Sequence, residues 1–235
     1  IAILPQIYII YLSFRNSKGS LFGVGYSLVN YQSALKKKLV LASRNTLVMG
    51  VIALAVIIVI AVVLAYLVVR RNNALNHSLD TIAMLPYIMP GAVIGIALLI
   101  AYGSKPVALT GTMTIMIMSF AIRRMPYTIR SATATLMQIP ISIEEAAISL
   151  GASKLKTFAK ITVPMMSNGI LSGAILSWVA IVTELSSSVI LYSNKTTTLT
   201  MQAYIYIGRG EYGTAAAFAA ILTVITALSL FLYMA

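Results

Sequence analysis

Residues 46–69 carry no charge and are built mostly from Val, Ile, Leu and Ala. About 20 consecutive apolar residues are enough to cross the hydrocarbon of a bilayer. No water is available there, so a lone segment satisfies its backbone polar groups only by being a helix. Similar apolar runs recur along the chain. They account for its being 60% hydrophobic and only 9% charged, where a soluble domain is about a quarter charged. These features predict an all-α, polytopic membrane protein.

Six spans are expected. Residues 1–14 form the outer part of the first. The others are residues 46–69, 81–102, 106–122, 167–191 and 213–235, the last beginning with an Ala-rich stretch suited to close packing. Polar connections join them at 15–45, 72–79, 131–166 and 192–212. The chain starts at Ile1 without a Met and stops inside an apolar run. It therefore reads as one domain, residues 1–235, and as one module or one half of a longer polypeptide.

The net charge is +12, from 17 Lys+Arg against 5 Asp+Glu. The basic residues sit at the ends of apolar runs and in loops. There they snorkel toward headgroups, which favours membrane lipid over nucleic acid as the partner. There is no cysteine, which excludes disulfides and thiolate metal sites. The chain has no GxxxxGK[ST] phosphate loop, HExxH or Ser/His/Asp arrangement. No catalytic residue, bound cofactor or metal site is expected, and the chain does not read as an enzyme.

Two features within the spans point to a path. The third span is interrupted by Pro86, Pro90, Gly91 and Gly95, with Met89 at the break. Proline removes a helical donor, and the freed carbonyls need neighbours or a water-filled cavity. The fifth span carries one carboxylate, Glu184. Such a residue faces a bundle interior or water, as a polar point on a substrate path or as a partner for nearby Ser186–Ser188. Arg123, Arg124 and Arg130, at the end of the fourth span, read as interfacial anchors rather than a phosphate site. The methionines read as packing residues.

The 131–166 connection is the most patterned. Pro140 precedes a helical start, and Ser142 with Glu145 suits a capping box. Glu144 and Glu145 suit the positive end of a helix dipole. Ala146, Ala147 and Leu150 offer a small apolar surface, and Gly151 provides a helix stop. A second helix then carries Lys154, Lys156 and Lys160 and closes at Pro164.

Glu145-Ala146-Ala147, three residues, Gly151, nine residues and Ile161-Thr162-Val163-Pro164 together resemble the EAA loop of ABC-importer permeases. Only Val163 departs from the pattern, where the family has leucine. Asn30-Tyr31, Arg44-Asn45-Thr46-Leu47, Leu85–Gly91 and Thr183-Glu184-Leu185-Ser186 extend the resemblance over nearly the whole chain. They point toward the branch that imports ferric iron, thiamine or phosphonates.

The resemblance implies a type I importer permease fold with a cytoplasmic coupling helix. Glu144, Glu145, Ala146, Ala147, Leu150 and Gly151 would dock an ATPase. Pro86, Met89, Pro90, Gly91 and Glu184 would line the path. It implies two copies of a cytoplasmic ABC ATPase holding ATP and Mg²⁺, a second permease module, identical or fused, and an extracytoplasmic solute-binding protein. The location implied is the bacterial plasma membrane, and the leading cargo is ferric iron. Basic residues fall on both sides of the spans, so orientation rests on this loop alone. A channel or secondary transporter using Glu184 is the rival of another class, and a membrane scaffold is a second.

Overall fold

The computed structural model describes residues 3–71 and 73–234. In chain order it contains α1 (Leu4–Phe14), strands β1 (Arg15–Lys18) and β2 (Leu21–Tyr26), and α2 (Val29–Lys36). The long α3 (Leu39–Arg70), α4 (Ala74–Ile88), α5 (Gly91–Tyr102) and α6 (Met113–Met137) follow. Next come α7 (Ile141–Ser149), α8 (Lys154–Thr157), a π-helical turn at Phe158–Thr162, α9 (Val163–Met165) and α10 (Ser167–Val182). The chain ends with α11 (Ser188–Leu191), α12 (Leu199–Gly208) and α13 (Tyr212–Met234).

Several expected boundaries move. The second helix begins at Leu39, not Thr46, and its first turns carry Arg44. The connection before it folds into an antiparallel hairpin and a short helix, so the chain is not purely α-helical. The fourth helix starts at Met113, not Pro106, and continues past Arg123, Arg124 and Arg130 to Met137. Long basic side chains can snorkel without ending a helix, and backbone hydrogen bonding continues through them. The fifth span ends as a helix at Val182, and α12 occupies part of the connection after it.

Among the described residues, two helices are long and apolar enough to cross a membrane alone: Leu39–Arg70 and Tyr212–Tyr233. Two helix pairs, Ala74–Ile88 with Gly91–Tyr102 and Lys154–Met165 with Ser167–Val182, meet the same criterion when each is taken together.

The chain divides into two compact units. The first comprises residues 1–51, 91–119 and 181–235. Its core joins Ala34, Leu39 and Ala42 to Leu199, Tyr206 and Phe218. Tyr206 and Phe218 stack with ring centres 5.6 Å apart. Asn30, buried between α2 and the hairpin, donates to Ser13 O at 3.0 Å and Arg15 O at 2.8 Å and accepts from Ser17 Oγ at 2.6 Å. Asn45 donates to Lys195 O at 2.8 Å and Thr197 O at 3.0 Å. Thr46 Oγ1 accepts from Leu199 N–H at 3.0 Å. These two side chains hold the segment leading into α12, whose carbonyls are otherwise costly to bury.

The second unit comprises residues 52–90 and 120–180. Ala65, Ala132, Leu136, Met166 and Ile170 form its larger core cluster. Gly169, Gly173 and Ser177 recur every fourth residue and so share one face of α10. A Cβ at Gly173 would lie 2.6 Å from Thr128 Cα and 2.9 Å from Ser131 Cβ. Ser131 Oγ donates to Gly169 O at 2.7 Å, and Ser177 Oγ donates to Arg124 O at 2.8 Å. Small residues thus bring α10 against α6 closely enough for side chain–backbone hydrogen bonds. This helix contact works where the hydrophobic effect contributes little.

Candidate functional site

The patterned loop lies wholly in the second unit. α7 starts after Pro140, whose fixed φ of −59° suits the turn into a helix. The expected capping box does not form. Pro140 occupies the N-cap, no side chain caps the helix, and Ser142 lies exposed inside its first turn. The helix starts two residues too early for a Ser142 cap.

The two adjacent glutamates face different environments, as neighbours on a helix must. Glu144 is 6% exposed. Its Oε1 accepts from Arg70 Nε at 2.8 Å and its Oε2 from Tyr66 OH at 3.2 Å. The same guanidinium donates from Nη2 to Ile139 O at 2.9 Å. Arg70, at the last turn of α3, therefore holds the segment before α7 and α7 itself. Glu145 and Ala146 are exposed, Ala147 is half-buried, and Leu150 is 91% exposed. An uncovered leucine next to small residues and a carboxylate makes a compact apolar platform with one charge.

The helix stop matches the expectation for Gly151. With φ at +88°, it takes the left-handed conformation that glycine adopts without strain. Gly151 N–H donates to Ile148 O at 2.9 Å and Ala152 N–H to Ala147 O at 3.0 Å, the paired bonds of a Schellman cap. Ser153 Oγ then caps α8 by accepting from Lys156 N–H at 3.3 Å. The second helix does not close at Pro164. It widens into the π turn, passes through Pro164 to Met165, and bends 66° into α10. Pro164 is the second residue of α9, directly after the π turn.

Of the five residues proposed for the path, Pro86, Met89 and Pro90 belong to the second unit and Gly91 and Glu184 to the first. Pro86 is half-buried within α4. Met89 turns extended, with ψ 135°, as a residue before proline must, and this ends α4. Met89 and Pro90 are exposed, and Gly91 is the buried first residue of α5. Glu184 is 2% exposed in the non-helical stretch before α11. Its Oε1 accepts from Ser187 N–H at 3.2 Å and Ser187 Oγ at 3.4 Å, and its backbone carbonyl accepts from Ser188 Oγ at 3.1 Å. The partners anticipated among Ser186–Ser188 are thus Ser187 and Ser188. At α5 a Cβ on Gly95 would lie 3.0 Å from Ile190 Cβ, so α5 and α11 pack closely.

Arg130, read as an anchor, pairs with Asp80 at 3.2 Å. Among the described residues no group of three or more His, Cys, Asp or Glu is placed to hold a metal ion. Three contributors were not anticipated. Arg70 ends an apolar run, where a basic residue can reach an acidic loop helix. The four-residue spacing of Gly169, Gly173 and Ser177 was visible in the sequence. The role of Asn45 and Thr46 across about 150 residues carried no local signal.

Residues 57–235 match the family of binding-protein-dependent transport system inner membrane components. The ferric transport system permease protein FbpB of Actinobacillus pleuropneumoniae is 33% identical over 210 residues, covering 89% of this chain and 29% of that protein. The probable transport system permease protein NifC of Clostridium pasteurianum is 33% identical over 171 residues, covering 66% of this chain and 59% of that one. The chain therefore spans less than two thirds of either relative. The inward-facing MetNI methionine ABC transporter has a chain of similar fold, with a TM-score of 0.70 at 18% identity over 86% of this chain and 94% of that one.

Proposed function

This chain belongs to the binding-protein-dependent transport system inner membrane components, the permeases of ABC importers, and on that premise we propose that it forms the translocation path for a small solute. In this reading the two compact units make one permease domain of six spans in a bacterial plasma membrane. α7 is its cytoplasmic coupling helix. Two ABC ATPases dock from the cytoplasm and hold ATP and Mg²⁺. A second permease module, identical or fused, completes the path, and an extracytoplasmic solute-binding protein delivers cargo. The chain itself performs no chemistry.

The observation that carries this reading is the division of labour between Glu144 and Glu145. Glu144 is committed inward to Arg70, so α7 is fastened to the end of a candidate span. Glu145, Ala146 and Leu150 are left open for a partner. ATPase closure would draw such helices together and shift the spans between inward-open and outward-open populations, through contacts that differ in the two states. Pro86, Met89, Pro90, Gly91 and Glu184 are proposed for the path. Ferric iron is the leading cargo, supported by the name of the Actinobacillus relative. Phosphonate and thiamine are the alternatives within the class.

The test is co-purification from mild detergent. Wild type should bring down a P-loop ATPase, and Glu145→Arg should lose it while remaining folded. A stable chain that captures no ATPase in either form would sink the importer reading and turn attention to ATP-independent flux through Glu184.

A further inference from the structure

Two cavities adjoin at the junction of α3 and the loop helices. The polar one, about 290 Å³, is walled by Arg70, Arg71, Glu144, Glu145, Lys154 and Thr157. The apolar one, about 240 Å³, is walled by Val63, Leu67, Leu155 and Phe158. Tyr66, Arg71 and Lys154 border both, so the two share a wall.

The charges in this niche do not cancel. Arg70 is used by Glu144. Among the described residues neither Arg71 nor Lys154 forms an ion pair, and Glu145 is the remaining carboxylate on the wall. The balance is one positive charge. Thr157 is 2% exposed, and its Oγ1 has no hydrogen-bond partner among the described residues. A buried hydroxyl left unpaired is costly. A guanidinium and an ammonium together suit a phosphate group. Beside them, Val63 is 46% and Leu155 76% exposed. This apolar surface gains nothing from a free anion but is covered by an acyl chain.

The geometry points to a binding site for one singly anionic phospholipid. Its phosphate lies between Arg71 and Lys154 on the Thr157 side, and an acyl chain runs along Val63, Leu67, Leu155 and Phe158. Arg71 follows the last turn of α3, and Lys154 opens α8. The lipid therefore bridges the span to the second loop helix, as Arg70 and Glu144 bridge it to the first. The proposal rests on the membrane placement of α3 given above and is independent of any ATPase.

The test uses the intact detergent-purified transporter, delipidated and titrated with phosphatidylglycerol, with retained lipid counted by native mass spectrometry. Wild type should retain one more lipid than the Arg71→Gln/Lys154→Gln double variant, whose affinity falls roughly tenfold or more. Leu155→Gln should weaken the lipid too, and Lys156→Gln, on a side chain outside both cavities, should not. Equal retention in wild type and the double variant would overturn the site. If inorganic phosphate competes fully and Leu155→Gln has no effect, the niche is a free-anion site and the lipid proposal falls. ATPase capture is scored in the same preparations. Lipid retained without ATPase defeats the importer reading alone, and ATPase retained without lipid defeats this inference alone.

Discussion

Arg70 and Glu144 meet at 2.8 Å with side chains only 9% and 8% exposed, so α7 is tied to α3 by a buried ion pair. Removing one partner of such a pair strands the other charge and costs about 3–5 kcal/mol. Arg70→Met should loosen α7, seen as faster amide hydrogen exchange over residues 141–149. The double variant Arg70→Met/Glu144→Met should recover much of that loss, because neither charge is then left alone. An additive double variant would show that the two side chains act separately.

Leu150 gives the opposite expectation. It is 91% exposed and contributes no packing, so Leu150→Ser should change stability by no more than about 0.5 kcal/mol. If the platform docks an ATPase, the same change should weaken capture in a pull-down. Full capture by Leu150→Ser would remove this residue from the docking surface.

At the contact of α10 with α6, Gly173 has no room for a side chain. Gly173→Val should destabilise the detergent-solubilised protein by about 1–3 kcal/mol through overpacking, read from thermal melts. Gly151→Ala meets no atom within 4 Å. Its penalty comes only from the left-handed backbone and should be about 1 kcal/mol. Equal melting points for Gly173→Val and wild type would contradict the close helix approach.

Glu184 and Ser187 supply a test of the buried carboxylate. Gln keeps an acceptor for the Ser187 N–H, whereas Ala leaves that buried donor unpaired at a cost of about 1–3 kcal/mol. Glu184→Ala should therefore melt earlier than Glu184→Gln. If Glu184→Gln also retains uptake in reconstituted vesicles, the carboxylate is structural and its charge plays no part in transport.

Sequence legibility tracked how local each determinant is. The uncharged run before Arg70 identified a span because the bilayer selects on composition alone. Gly151 identified a helix stop because its left-handed backbone is a property of one residue. Boundaries set by competition were misread. Arg123 and Arg124 marked an end that the helix ignores, and Ser142 marked a cap that Pro140 supplies geometrically. Contacts between distant segments, such as Asn45 with the carbonyls at 195 and 197, were invisible because no periodicity records them. On α7 and its C-cap, the small apolar residues and Leu150 that lie open were legible. The inward turn of Glu144 was not, because its partner lies 74 positions earlier.

The unbroken length of α3 carries a consequence of its own. Its 32 residues rise about 48 Å, against roughly 30 Å of hydrocarbon. Even the uncharged stretch between Arg44 and Arg70 amounts to about 38 Å. A bilayer of ordinary thickness accommodates that length when the helix leans, the lipid around it stretches, or its polar end residues sit outside the hydrocarbon. The position of Arg70 relative to the headgroups then depends on bilayer thickness as well as on how α3 packs against its neighbours.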